Sequence, residues 1–444
     1  MSDSWYGYSI KIRITCRKAE CLSLEGFFMV AVIGKDKTPL MPCSNAIARL
    51  LLKYGKAKVK SCIPFTIQLL NEGECYVQLL THGIDTGSSK IGSAVTDSKA
   101  NVLYISEIEL RNDITDKMKR RSKYRRNRRN RKTRYRKARW LNRKNAIREN
   151  RFSPTLKSKI DSHIKEIKFV ASIFPIGRLI LETGSFDPHA LKNPEVLNNK
   201  LIYQQGINYG FANVKAYILD RDNYTCQNCK GKSKDSRLHV HHIIFRSNNG
   251  GDEPENLITL CKKCHNDVHL FKIKLKLSGK VKGQLKHATQ MNVIRNQLLK
   301  IFPNAEETYG YITKEHIQLS GLEKTHYNDA AIIAIQSCNP VFKTDVALFK
   351  KCISDGDYQQ YKGIRSEQKI PTMKIIGFRK FDRVRYNGNY YFIKGRMSSG
   401  YAILMDINGE KVNLKPIPKL ERMQRISSRK SWIISQKVIV NTYC

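Results

Sequence analysis

The chain has 444 residues, 41% of them hydrophobic, enough for packed cores in roughly three domains of about 150 residues each. Its 80 Lys and Arg against 38 Asp and Glu leave a net charge of +42, which repels itself in a compact state unless a polyanion neutralises it. No apolar stretch approaches the ~20 residues of a spanning helix, so nucleic acid rather than a membrane is the expected partner.

Residues 1–28 show neither periodicity nor motif. The apolar run Gly26–Gly34 is short and lacks a convincing cleavage site, so no leader is expected and the protein is expected to be intracellular. Residues 29–78 read as a small α+β module: an apolar strand, a turn bracketed by Pro39 and Pro42, an amphipathic helix from Ser44 to Tyr54 closed at Gly55, then alternating strand. Residues 79–112 read as a meander of three strands with Gly-, Ser- and Asp-rich turns.

Residues 117–148 then carry 18 Lys or Arg and no Asp or Glu. Neither acid partners nor an apolar heptad supports this run as a surface helix or a coiled coil. Bound along a phosphate backbone, its repulsion would vanish. A helix is expected from Pro154 to Ala171, followed by the apolar strand Gly177–Glu182.

Twelve cysteines include two CxxC pairs, Cys226 with Cys229 and Cys261 with Cys264. Two such pairs wrap a tetrahedral structural Zn²⁺ in a reducing compartment; the other eight are expected as free thiols. Between and after the pairs lie His239, His241, His242, Asn256 and His265. A strand with adjacent histidines, a loop and a helix with a further histidine can hold one divalent ion and leave one imidazole free to take a proton from water. The alternative, extra zinc ligands or core histidines, has less to recommend it because the thiolates already complete the zinc site.

Three separated pieces each carry residues suited to Mg²⁺: Asp85 on the first meander strand, Glu182 closing the apolar strand, and His326 with Asp329 three apart on one helix face. Singly, each has a plain structural explanation as a turn or cap residue. Converging carboxylates bind a metal pair that activates water and steadies a leaving oxygen. The last hundred residues alternate apolar and polar between NG, SSG and NGE turns, a small antiparallel barrel or sheet.

The stretch from Tyr224 to His269 resembles the HNH nuclease family in its zinc-stabilised ββα form. That resemblance implies His242 as general base, His241 and His265 as Mg²⁺ ligands and Asn256 as the residue fixing the loop, with no firm role for His239 or His269. Asp85, Glu182, His326 and Asp329 resemble the split motifs of a RuvC-like, RNase H-fold nuclease, with the HNH segment inserted before the third. Together with Thr38-Pro-Leu-Met-Pro42, which resembles the family's PLMP domain, the chain from 29 to about 430 resembles the IscB family, transposon-associated RNA-guided DNA endonucleases related to CRISPR type II effectors.

The resemblance implies an α/β multi-domain fold: an N-terminal extension at 1–28, PLMP domain at 29–78, RuvC segments at 79–112, 151–205 and 276–345, an arginine-rich bridge helix at 113–150, an HNH domain with zinc ribbon at 206–275, and a barrel-like β module at 346–444. The bridge helix would grip a structured guide RNA through Arg120, Arg121, Arg125, Arg126, Arg128, Arg129, Arg131, Arg134, Arg136 and Arg139, with Tyr124, Tyr135 and Trp140 available for stacking. The HNH centre would cut the guide-paired strand of double-stranded DNA and the RuvC centre the displaced strand. The module near Phe378–Val412 would read a short flanking motif, unless it only packs on RNA. A cytoplasmic, monomeric ribonucleoprotein is implied. The family pattern departs at residues 1–28, which makes Met29 an expected natural start, and no large recognition lobe precedes Glu182. The rival readings are a protein-guided HNH endonuclease of homing or restriction type and a non-catalytic RNA-binding protein.

Overall fold

The computed structural model describes residues 29–71, 76–130, 152–206, 208–248, 250–275, 286–354, 359–360, 367–368, 375–397, 399–429 and 431–439. The expectations for residues 1–28, Arg131, Arg134, Tyr135, Arg136, Arg139 and Trp140 lie outside them. The chain divides into two compact units, Met1–Gly184 with Ile294–Cys444, and Ser185–Val293.

The first unit opens with β1 (Val30–Ile33), β2 (Pro39–Cys43), α1 (Asn45–Lys53), β3 (Ala57–Cys62) and β4 (Phe65–Leu69), a sheet in the order β2-β1-β4-β3. Ser44 caps α1, and Gly55 beyond its end takes φ +69. Pro39 and Pro42 do not bracket a turn; they lie in β2, and the turn falls at Gly34–Thr38, where the Asp36 carboxylate accepts from Thr38 N at 3.2 Å and Oγ1 at 2.7 Å. Because β2 is an edge strand, its missing prolyl N–H groups cost no ladder bond.

The meander forms as β5 (Leu80–Asp85), β6 (Lys90–Thr96) and β7 (Asn101–Glu109). Then come α2 (Ile114–Asn130), α3 (Pro154–Ala171) and β8 (Ile176–Glu182), which lies parallel to β5 with Glu182 beside Asp85. The basic run is thus helical to Asn130, with Arg120, Arg121, Arg125 and Arg126 exposed and Tyr124 half-buried.

The second unit holds α4 (Pro188–Lys192), α5 (Val214–Arg221), the antiparallel pair β9 (Leu238–His242) and β10 (Leu257–Cys261), and α6 (Lys262–His269). Val268, Leu260 and the cysteines form its core.

Helix α7 (Lys286–Ile301) leads back into the first unit, followed by β11 (Glu306–Thr308), α8 (Gly310–Ser320), α9 (His326–Ile335), β12 (Val341–Phe342) and β13 (Val346–Cys352). A short pair, β14 (Gln359–Gln360) and β15 (Glu367–Gln368), precedes β16 (Arg383–Tyr386), β17 (Asn389–Arg396), β18 (Ala402–Met405), β19 (Lys411–Val412), β20 (Gln424–Ser427) and β21 (Trp432–Val438).

The large sheet has the order β11-β8-β5-β6-β7-β13-β21, with β12 also on β7. The described strands of residues 346–444, expected as one β module, therefore divide among the large sheet, the short β14–β15 pair and a third sheet. Strand β13 continues the large sheet parallel to β7 and β21 closes it, while β19-β18-β17-β16-β20 form a separate antiparallel sheet. Alternating strands do not declare their partners; Ala347 and Leu348 of β13 pack into the large core and Trp432 of β21 meets Phe169, while Ile433 packs on Phe392 and Met405 of the other sheet. The NG turn takes shape at Asn387 and Gly388, φ 49 and 82, the pair of left-handed residues that a two-residue hairpin requires.

Two features seat the helices on the large sheet. A buried ion pair docks α3: Lys350 Nζ on β13 lies 2.7 Å from both Glu166 oxygens, and Oε1 also accepts from Tyr104 at 3.2 Å and Ser106 at 3.0 Å. Glycines let α9 lie directly on β5 and β6. A Cβ at Gly83 would stand 2.4 Å from the Ala330 carbonyl oxygen, and one at Gly92 1.8 Å from that of His326. Among the described residues no helix is long and apolar enough to cross a membrane.

Candidate functional site

In the first unit, Asp85 ends β5 and Glu182 ends β8, side by side in parallel register, so both side chains leave the same face of the sheet. Helix α9 begins above them. Thr325 caps it, and the first turn delivers His326 and Asp329 to the same place. His326 Nδ1 lies 2.6 Å from Asp85 Oδ2, and ligand atoms of Asp85, His326 and Asp329 all fall within 4.8 Å of one another. Glu182, outside that group of three, stands beside Asp85 in the strand register and lines one cleft with Asp329, so the four residues singled out in the sequence gather at one end of the sheet.

This gathering opposes ionisation. Burial, then the charge of Asp85, pushes Glu182 up to about 7 and Asp329 up to about 6. The hydrogen bond to Asp85 raises His326. Glu182 Oε2 is buried without a hydrogen-bond partner, and such an oxygen beside other carboxylates fits a divalent cation. Glu182 and Asp329 line a cleft of about 370 Å³ whose other walls include Gly310, Lys314 and Lys324.

In the second unit, β9 alternates its histidines. His239 and His241 face α6, while His242 faces the loop that joins β9 to β10. His241, His265 and His269 bring ligand atoms within 4.8 Å of one another. His241 is buried and its Nε2 has no partner. Burial and the neighbouring His265 and His269 lower it to about 4, so at neutral pH it presents a lone pair, as a metal ligand must. His269, which had no expected role, completes the cluster; its signal was the i, i+4 spacing from His265, which puts both on one helix face.

His242 Nε2 lies 2.7 Å from Asp252 Oδ1, and Arg246 Nη2 reaches the same oxygen at 2.6 Å. These two partners hold the Asp252 carboxyl below its usual range. With Nε2–H donated to Asp252, Nδ1 is the ring nitrogen left to accept a proton. Nothing in the sequence marked Asp252, because only the loop's closure brings it to His242. That closure runs through Asn256, which is fully buried, accepts from Ile244 N at 2.8 Å and donates to the carbonyls of Gly251 at 2.8 Å and Ile244 at 3.1 Å.

Cys226, Cys229, Cys261 and Cys264 place their sulfurs within 4.8 Å of one another. Hydrogen bonding to Ser233 lowers the Cys229 thiol to about 6, while burial pushes Cys264 up to about 12. Four thiolates this close cannot all ionise without a cation between them, and Asn228 and Ser233 stand ready to hydrogen-bond the sulfurs, at 3.3 Å from Cys264 and 3.1 Å from Cys261. The set fits a tetrahedral Zn²⁺. Among the described residues Cys43, Cys62, Cys338 and Cys352 form no disulfide.

Comparison with known proteins places names beside these geometries. Residues 226–270 match the HNH endonuclease family, so the chain carries an HNH endonuclease domain, and residues 30–206 match the family described as RRXRR protein. Arg125-Arg126-Asn127-Arg128-Arg129 on α2 reads as that motif. A stretch of 104 residues is 32% identical to the type IV methyl-directed restriction enzyme EcoKMcrA of Escherichia coli (strain K12), covering 22% of this chain and 35% of that enzyme. Crystal structures of Streptococcus thermophilus Cas9 with a GGAA PAM and with an AGAA PAM are similar at 13% and 12% identity. They cover 48% and 57% of this chain and 30% and 32% of theirs, each with a TM-score of 0.33, too low to carry an argument.

Proposed function

We propose that the protein is an RNA-guided DNA endonuclease of IscB type with two separate nuclease centres, one per unit. The observation that carries the reading is the convergence of Asp85, Glu182, His326 and Asp329, drawn from three distant parts of the chain, in a unit that the HNH-bearing segment interrupts. A chain whose only chemistry was HNH would have no use for that costly cluster of buried and half-buried carboxylates.

In the HNH centre His242 Nδ1 takes the proton of the attacking water while Asp252 holds the opposite ring nitrogen, and Asn256 keeps the intervening loop closed. His241, His265 and His269 would hold a divalent cation there; Asp85, Glu182, His326 and Asp329 would hold Mg²⁺ in the RuvC-like centre. Such cations, when bound, stabilise the charge growing on the scissile phosphate and leaving oxygen. The HNH centre is assigned the guide-paired strand and the RuvC-like centre the displaced one. The exposed arginines of α2 are assigned to guide RNA phosphates, and the stretch from about Phe378 to Val412, which carries β16 to β19, to the duplex flanking the target.

The test is the RNA held by protein purified under native conditions. A bound structured RNA, whose guide segment can be rewritten to redirect cutting, supports the reading. The 32% identity to a restriction enzyme favours a second reading, a protein-guided HNH endonuclease. Sequence-specific cutting that survives complete removal of RNA would establish that one instead.

A further inference from the structure

Tyr309 and Tyr311 stand on either side of Gly310 at the start of α8, 44% and 71% exposed, with their rings parallel to within 8° and their centroids 6.1 Å apart. Two large aromatic faces turned to solvent side by side cost apolar exposure without a packing return. The position also breaks a local rule: Tyr309 is the N-cap of an eleven-residue helix and its side chain makes no capping bond, where Ser, Thr, Asp or Asn would supply one. A local rule broken at a site usually marks function.

The position relative to the carboxylates suggests which function. Gly310 packs against Glu182, since a Cβ there would meet Oε1 at 3.0 Å. The tyrosines are thus the chain neighbours of a residue that lines the cleft together with Glu182, Lys314, Lys324 and Asp329, and both lysines are exposed. Cationic groups beside an aromatic pair are the combination that holds a single nucleic-acid strand: phosphates go to the lysines and unpaired bases stack on the rings. A duplex hides its base faces and gains nothing from such a surface.

We propose that Tyr309 and Tyr311 form a stacking platform for unpaired bases of the displaced DNA strand, with Lys314 and Lys324 on its phosphates, feeding that strand to the Glu182–Asp329 cleft. The proposal rests on the RuvC-like reading of that cleft. By fixing bases beside the reacting phosphate, the platform positions the strand and sets where it is cut.

The test uses the protein with its copurified RNA and a matched duplex labelled on both strands. Tyr309→Ala/Tyr311→Ala should slow displaced-strand cutting about tenfold or more and blur its position, leaving paired-strand cutting unchanged as the control for folding. Tyr309→Phe/Tyr311→Phe, which keeps the stacking faces, should restore both rate and position. With Ca²⁺ in place of Mg²⁺, a single-stranded DNA oligonucleotide carrying 2-aminopurine should be quenched by the parent protein and not by the alanine variant. If Asp85→Ala abolishes displaced-strand cutting while the alanine pair cuts at the parental rate and place, the platform is wrong and the RuvC-like reading survives. If Asp85→Ala leaves displaced-strand cutting intact, the RuvC-like reading itself is wrong. Loss of the copurified RNA from the alanine variant would assign the rings to RNA and overturn the proposal.

Discussion

Glu182 and Asp329 hold protons to about pH 7 and pH 6 because burial and the charge of Asp85 both oppose their ionisation. Between about pH 4 and these values the folded chain therefore binds more protons than the unfolded one, and stability present below that range is lost as pH rises through it. Metal-free protein should melt at a lower temperature at pH 8 than at pH 6 on account of these two groups, and Mg²⁺ should raise the melting temperature more at pH 8. Glu182→Gln should flatten both trends and stabilise the metal-free protein at pH 8 by about 1–2 kcal/mol; an unchanged profile would remove Glu182 from the site. At His242 the partner matters as much as the ring. Asp252→Asn should slow cutting by the HNH centre about 10- to 100-fold while displaced-strand cutting, measured on the same labelled duplex, stays at the parental rate. The cysteine pairs were legible because their spacing names the chemistry, whereas the roles expected of His241, His242, Asn256 and His265 came from the resemblance to the HNH family. Asp252 was not legible, since a lone Asp in a Gly- and Asn-rich loop reads as a turn residue until the fold bends the loop back.

Helix α9 reaches its place only because β5 and β6 carry glycines under it. Gly92→Ala puts a methyl group 1.8 Å from the His326 carbonyl oxygen, which is backbone and cannot swing aside. The helix start must lift, and displaced-strand cutting should fall by at least about tenfold with paired-strand cutting spared; equal loss of both would point to general misfolding instead. Helix α3 depends on the Lys350–Glu166 pair, which no solvent reaches. Lys350→Met or Glu166→Gln alone should cost about 3–5 kcal/mol in denaturant unfolding, whereas Lys350→Met with Glu166→Leu should cost less, because each single change disrupts a buried ion pair and the double removes both charges, leaving only the Tyr104 and Ser106 hydroxyls without their acceptor. The sequence made most of these elements readable through periodicity and caps: α1, α3 and the three-strand meander stand where the pattern put them. It misplaced Pro39 and Pro42, whose turn propensity is overridden at a sheet edge, and it gave no hint that Lys350, in an alternating strand, points inward to an acid on a distant helix.

The first unit is discontinuous in sequence, and the second occupies the gap. That order was readable from the motifs alone, since Asp85, Glu182 and His326 flank the cysteine–histidine cluster in the chain. What could not be read is where the large sheet ends: β13 and β21 join it from a segment whose alternation matches the neighbouring five-stranded sheet equally well. If each compact unit carries its own centre, as proposed, the two should fail separately. Strand-resolved cleavage of a matched, doubly labelled duplex by the parent protein, His242→Ala and Asp85→Ala measures this most directly. The account expects His242→Ala to nick only the displaced strand and Asp85→Ala only the paired strand. Loss of both cuts from either change in a folded, RNA-bound protein, or double-strand cutting that persists in Asp85→Ala, would contradict it.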